Sequence, residues 1–203
     1  MSIKRRTLAL LPATLIASGL PLASLAQAKK DTLVLGMALE PPGLDPTAGA
    51  ASAIAEIVLY NVFETLTRIG SDGNVKPLLA ESWEVSPDLK TVTFKLRKDV
   101  KFQNGEPFNS QTVKYSFERA AGEKSTNKDK RLFQSMEFIG APDPATVVIG
   151  MKTIEPDLLF LLGQATAIIV EPKSSATNAT QPVGTGPFKL ENWAKGSSIT
   201  LMH

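Results

Sequence analysis

The side chains that most often do chemistry are scarce in this chain, and scattered where they occur. The one histidine is His203, the last residue, and there is no cysteine. A Ser-His-Asp triad would have to recruit a chain end, and no Gly-x-Ser-x-Gly elbow occurs. A thiolate nucleophile and a disulfide are both excluded, and side-chain metal ligation lacks the His and Cys it draws on. Carboxylates are plentiful, but pairs such as Glu81/Glu84 and Glu155/Asp157 fall in strand and loop contexts, where they are ordinarily solvated. Gly184-Thr185-Gly186 has the glycines of a phosphate loop without its Lys-Ser/Thr, and Pro187-Phe188 leads on to a strand instead of a helix N-terminus. The expectation is a protein that binds and does not turn over, with no metal and no cofactor.

Binding chemistry is better supplied by the backbone. In Glu40–Ser52 three prolines, Pro41, Pro42 and Pro46, fix φ and withhold donors, so the segment is a stiff loop leaving a strand end. Open α/β sheets take ligands at such strand ends. Thr47, Ala48, Gly49, Ala50 and Ala51 are small enough to leave N–H and C=O groups reachable, and Thr47, Gly49, Ala50, Ala51 and Ser52 form the candidate ligand-binding set. The alternative is a loop that only packs ahead of a helix.

The elements that would hold this loop follow from periodicity and turn chemistry. Thr32–Met37 reads as a buried strand. Ser52 can cap a helix running to about Glu64, with Ile54, Ile57, Val58 and Asn61-Val62 on its inner face. Leu66–Ile69 and the Ser71–Asn74 turn lead into Glu81–Val85 and Thr91–Leu96, two alternating strands joined at Pro87-Asp88. Asn104-Gly105 is a second turn, and Asn109 or Ser110 can cap a helix whose inner face is Val113, Phe117 and Ala120/Ala121, ended by Gly122. Glu123–Arg131 reads as a polar loop. Phe138-Ile139, Ala141–Pro144 and Thr146–Met151 read as strand, turn and strand, Asp157–Leu162 as a short helix opened by Pro156, and Ala167–Val170 as a buried strand. Ser174–Gln181 is a linker by composition, and strands follow through Leu190 and Ile199–Leu201.

The N-terminus has the three parts of a secretory signal peptide. Lys4-Arg5-Arg6 is the positive region, Leu8–Leu25 is an apolar stretch interrupted by Pro12, Gly19 and Pro21, and Ala26-Gln27-Ala28 is a small-x-small site. Residues 1–28 are therefore expected to be removed after Ala28, by the general or the twin-arginine route. Removing those three basic residues from 22 leaves 19 against 20 acidic, a net of −1, which offers no field for nucleic acid or anionic lipid. Without cysteine there is no lipid-modified tether at the cleavage site, so the expected location is free in the periplasm. Gly196–His203 stops inside an expected strand, which suggests an N-terminal fragment.

Two blocks carry a family resemblance. The order S-W-E…T-F-x-L-R-x-D-V-x-F-x-N-G-x-P-F…V-x-Y-S-F-E-R within Ala80–Arg119, and P-V-G-T-G-P-F over Pro182–Phe188, resemble the family 5 extracellular solute-binding proteins of ABC importers, which bind peptides, nickel and opines. The resemblance covers Asp31 to Leu201. It implies a type II periplasmic-binding fold, α/β, with a discontinuous mixed-sheet first lobe (31–65 and 176–203) and a smaller inserted α+β lobe (66–175), truncated here. It also implies that the segment after Leu44-Asp45-Pro46 pairs main chain to main chain with an extended ligand. The block Pro182–Phe188 would return to the first lobe beside the cleft, which adds Thr185 and Gly186 to the candidate contacts.

The implied function is capture of a peptide or small solute and delivery to a membrane permease, by a monomer with no nucleic-acid partner. Two other readings are a truncated remnant acting as a non-transporting interaction protein and, further off, a periplasmic hydrolase. Dipeptides, oligopeptides, glutathione, opines and chelated nickel all remain open as solutes.

Overall fold

A computed structural model describes residues 31–203, so the expected signal peptide and its cleavage site lie outside the described residues. Residues 37–203 form one compact unit built around two hydrophobic clusters.

The larger cluster lies under a four-stranded antiparallel sheet. Strands β3 (Ala80–Val85) and β4 (Thr91–Leu96) form the hairpin expected from their alternation, and β5 (Met136–Asp143) and β6 (Thr146–Met151) complete the order β3-β4-β6-β5. Val92, Phe94 and Leu96 of β4 and Val147, Ile149 and Met151 of β6 point to one face. Against it packs helix α2 (Ser110–Ala121) through Val113, Phe117 and Ala120. Its start is a capping box: the Asn109 side chain accepts from the backbone of Gln111 and Thr112, and the Thr112 hydroxyl accepts from Asn109 N–H. Phe117 stacks at 5.3 Å on Phe133 of α3 (Lys130–Gln134), a helix in and beyond the segment expected to be a polar loop. The short strands β1 (Thr67–Ile69) and β2 (Val75–Pro77) pair across the Ser71–Asn74 turn, and α4 (Leu158–Leu161) lies where Pro156 suggested.

The smaller cluster draws on distant stretches: Leu44, Ile54, Ile57, Val58, Val62 and Phe63 meet Ile168 and Val170, with Leu190, Trp193, Ile199 and Leu201 packed against them. The last four come from the hairpin β7 (Lys189–Ala194) and β8 (Ser198–Met202). Glu40 ties the proline-rich loop to this hairpin by accepting from Trp193 Nε1 (3.1 Å) and Gly196 N (2.9 Å).

Several expected elements differ. Residues 31–37 form no strand and pair with no other segment among the described residues, and Leu33, Val34 and Leu35 are 80%, 86% and 74% exposed. Helix α1 spans Ser52–Val58 and stops well short of Glu64, with Ala51 as an N-cap that makes no side-chain cap bond. Tertiary anchoring ends it: Tyr60 has φ +61°, and its hydroxyl donates to Gly163 O (2.5 Å) and accepts from Ile69 N (3.0 Å). These bonds hold a conformation that most residues avoid. The turn expected over Ala141–Pro144 is shorter, because β5 runs on through Asp143; Pro142 is tolerated in β5 because that strand is an edge. Ala165–Ala167 is a 3-10 turn leading to extended chain, not the start of a strand. The compositional linker Ser174–Gln181 is structured, with a 3-10 turn at Ser175–Thr177 and Asn178 wholly buried.

Candidate functional site

Three chain segments cross between the two clusters side by side. The first runs through 61–66, the second through 168–170 and the third through 184–188. Gly186 N and Phe188 N donate to Val62 O and Asn61 O (both 2.9 Å), and Ile169 N donates to Glu64 O (2.9 Å). The approach is so close that a Cβ on Gly184 would lie 1.9 Å from Val62 O, and one on Gly186 would lie 2.3 Å from Asn61 O. Both positions therefore require glycine for close backbone contact.

One side chain fastens this crossing. Gln103, just before the Asn104-Gly105 turn, reaches from Nε2 to Phe188 O (2.6 Å), Gly186 O (3.1 Å) and Val62 O (3.3 Å), while its Oε1 accepts from Gly184 N (3.1 Å). Its own N–H donates to Gly184 O (2.9 Å). Sequence reasoning passed over Gln103 because its partners lie about 40 and 80 residues away.

Beside the crossing stands Glu64. Burial pushes its carboxyl above the ordinary carboxylate value, opposed by the nearby Thr185 hydroxyl and by the positive charge of Arg97. Thr185 Oγ1 is buried without a hydrogen bond of good geometry, so its influence on Glu64 is one of proximity.

The loop singled out from sequence is held from below. Asp45, 4% exposed, accepts Thr47 N (2.9 Å) and Thr47 Oγ1 (2.6 Å) on Oδ1 and Arg119 Nη2 (2.9 Å) on Oδ2. Arg119 Nη1 also donates to Thr47 Oγ1, and Thr126 Oγ1 donates to Ala48 O (3.1 Å). Thr47 is thus buried with its N–H and hydroxyl engaged, whereas Ala48, Ala50, Ala51 and Ser52 are exposed. The N–H groups of Gly49, Ala50 and Ala51 have no partner among the described residues. Thr47 and Ala48 border an open recess of about 570 Å³ whose other walls are Arg119 and residues 122–126. Neither Thr185 nor Gly186 lines it. Gly186 has both backbone groups engaged in the crossing.

A second recess of about 220 Å³ includes Glu106, Glu171 and Lys173 in its wall. Its charged groups are already paired: Lys173 pairs with Glu106 at 2.5 Å, and buried Glu171 accepts Lys173 N, Ser174 N and Asn104 Nδ2. Burial alone would raise the Glu171 carboxyl, but these hydrogen bonds outweigh it and hold it below its ordinary value. This is scaffolding that anchors the Asn104 turn to the 171–174 turn. Among the described residues no group of three His, Cys, Asp or Glu side chains is placed to hold a metal, and no helix is long and apolar enough to cross a membrane.

Residues 74–203 match the family described as bacterial extracellular solute-binding proteins, family 5, middle region. The chain belongs to this family. It is 33% identical over 204 residues to the probable D,D-dipeptide-binding periplasmic protein DdpA of Escherichia coli K12, a match covering 94% of this chain and 39% of that protein.

Its fold is similar to that of the periplasmic binding protein AgaA in complex with agropinic acid, from A. tumefaciens R10, with a TM-score of 0.74, 33% identity, and cover of 80% of this chain and 33% of that one. It is also similar to Haemophilus influenzae OppA in complex with the peptide RPPGFSPFR, with a TM-score of 0.73, 25% identity, and cover of 80% and 36%. The fold is that of type II periplasmic binding proteins, mixed α/β, of which this chain holds a part. In each comparison the chain spans well under half the length of the relative.

Proposed function

We propose that the chain is the solute-capturing part of an ABC importer component, exported to the periplasm with cleavage after Ala28, acting as a monomer and delivering its solute to a membrane permease. The lobes in this reading are 31–65 with 176–203, and 66–175 between, and closure about the crossing follows when a ligand touches both sides. The observation that carries the reading is the largely exposed run Ala48–Ser52: the N–H groups of Gly49, Ala50 and Ala51 have no partner among the described residues, and Ala48 at its start borders a recess of about 570 Å³.

Such a run reads a ligand through its main chain, as in strand addition, and so favours peptides and peptide-like carboxylated solutes over any one side-chain type. Thr47 supports the run from below, whereas Thr185 and Gly186 belong to the crossing and not to the wall of the recess. The sequence has no cysteine and one histidine, His203, so the usual Ser-His-Asp and Cys-His pairings have little to draw on, and capture without turnover is the reading.

The test is amide exchange and calorimetry on the purified chain with a D,D-dipeptide, glutathione, agropinic acid and the peptide RPPGFSPFR, each added separately. The expected result is saturable binding of at least one, with slowed exchange confined to residues 48–52 and the crossing. Absence of any effect from all four, at concentrations up to about 1 mM, where binding free energy is only about −4 kcal/mol, overturns the reading.

A further inference from the structure

We propose that Arg119 is the positioning residue of the solute loop: it sets the conformation of Asp45–Ser52 through Asp45 and Thr47 and does not itself bind the solute. The proposal rests on the functional reading above for its consequence, though not for its geometry.

Arg119 sits in the last turn of α2, where a cation is favoured by the helix C-terminus. It reaches a loop 74 residues earlier in the chain. The guanidinium closes a ring: Nη2 to Asp45 Oδ2, Nη1 to Thr47 Oγ1, and the same Thr47 hydroxyl onward to Asp45 Oδ1. Every member has a proper role. The hydroxyl donates once and accepts once, the carboxylate accepts on both oxygens, and Nη2 adds a longer contact to Ser175 O (3.4 Å). A planar fork can make this pattern, whereas the single ammonium of a lysine cannot hold both partners in fixed directions.

Charge decides between positioning and direct recognition. Asp45 is 4% exposed and carries its charge beside Arg119 at 2.9 Å. The pair is locally neutral, so little field is left to draw an anionic solute. Removing Arg119 alone would leave a buried carboxylate uncompensated, which is far costlier than losing a surface contact. The consequence falls on the loop: with Thr47 tied down on its N–H and hydroxyl, the next residues leave the ring in one direction, and the free N–H groups of Gly49, Ala50 and Ala51 are ordered before any ligand arrives. Ordering in advance removes an entropic cost from binding.

The test compares Arg119→Gln, Arg119→Lys and the double variant Asp45→Asn/Arg119→Gln, which removes the lone buried charge should the single variant fail to fold. Amide exchange needs no ligand. The expected result is about tenfold or faster exchange at Thr47 and Ala48, whose N–H groups donate to Asp45, in all three, with α2 and β6 unchanged in the double variant. Exchange that is unaltered at Thr47 and Ala48, or accelerated evenly over the whole chain, overturns the proposal.

Calorimetry then uses whichever of the four solutes binds the parent chain. Positioning predicts that Arg119→Lys, which keeps the charge, weakens binding about as much as Arg119→Gln. Full retention of affinity in the lysine variant alone would show direct charge recognition and overturn the proposal. A parent chain that binds none of the four overturns the functional reading, and the exchange result still decides whether Arg119 holds the loop.

Discussion

Gln103 and Gly184 hold each other twice. The backbone N–H of Gln103 donates to Gly184 O at 2.9 Å, and the backbone N–H of Gly184 donates to Gln103 Oε1 at 3.1 Å. The remaining end of the same side chain serves carbonyls on two of the crossing segments, 61–66 and 184–188. Gln103→Leu keeps the bulk and removes the hydrogen bonds, leaving several partly buried backbone groups without partners. Losing them costs about 3 kcal/mol. Urea denaturation should show an unfolding free energy lower by that amount and a correspondingly lower midpoint, with exchange accelerated first at 184–188.

Gly184→Ala should be as damaging for a different reason. The added methyl meets Val62 O at 1.9 Å, a backbone atom that cannot swing aside. The crossing segments must separate, at about 2 kcal/mol or more for an overpacked site. Gly140→Ala is the control, since its Cβ would meet Val148 at an ordinary 3.6 Å. Thermal melts of the two variants should differ clearly, with Gly140→Ala close to the parent.

Ala51→Pro separates binding from folding. Ala51 already has φ −68° and ψ 129°, which proline adopts without strain, and its N–H has no partner to lose. Stability should be unchanged or higher by about 0.5 kcal/mol through the unfolded chain. If the solute is read by these N–H groups, its affinity should fall about tenfold in calorimetry. Unchanged affinity would remove Ala51 from the contact set.

Glu64 makes stability depend on pH. Burial raises its folded pKa, so the fold favours the protonated form; that contribution is complete below the ordinary carboxylate range and is lost as pH rises through the folded pKa. Glu64→Gln removes the penalty of the buried charge. Its stability relative to the parent should therefore increase from about pH 4 to about pH 7, as followed by urea denaturation. A constant difference across that range would assign the effect to packing.

What was legible in the sequence was local. The β3–β4 hairpin, the Asn109 cap, the inner face of α2 and the turn at Gly105 are decided within a few residues, by alternation, by short side chains reaching nearby N–H groups, and by a φ of +88° that glycine accepts. The family is legible for the same reason, because its blocks are these turns and caps. The candidate loop was also readable in outline, since prolines and small residues state their constraint directly.

Only the tertiary structure decided the rest, because the partners are distant in sequence. No local pattern stops α1 at Val58; the hydroxyl of Tyr60, held by Gly163 and Ile69, does. Composition marks 174–181 as a linker, yet burial of Ser175 and Asn178 makes it structure. Within the loop, sequence gave Thr47 and Ala50 one status. The fold gives them two: Asp45 accepts both donors of Thr47 while Arg119 donates to its hydroxyl oxygen, and nothing among the described residues accepts from the N–H of Ala50. Residue type states which groups could bind; long-range hydrogen bonds, which depend on segments 40 to 80 residues away, determine which are still free to do so.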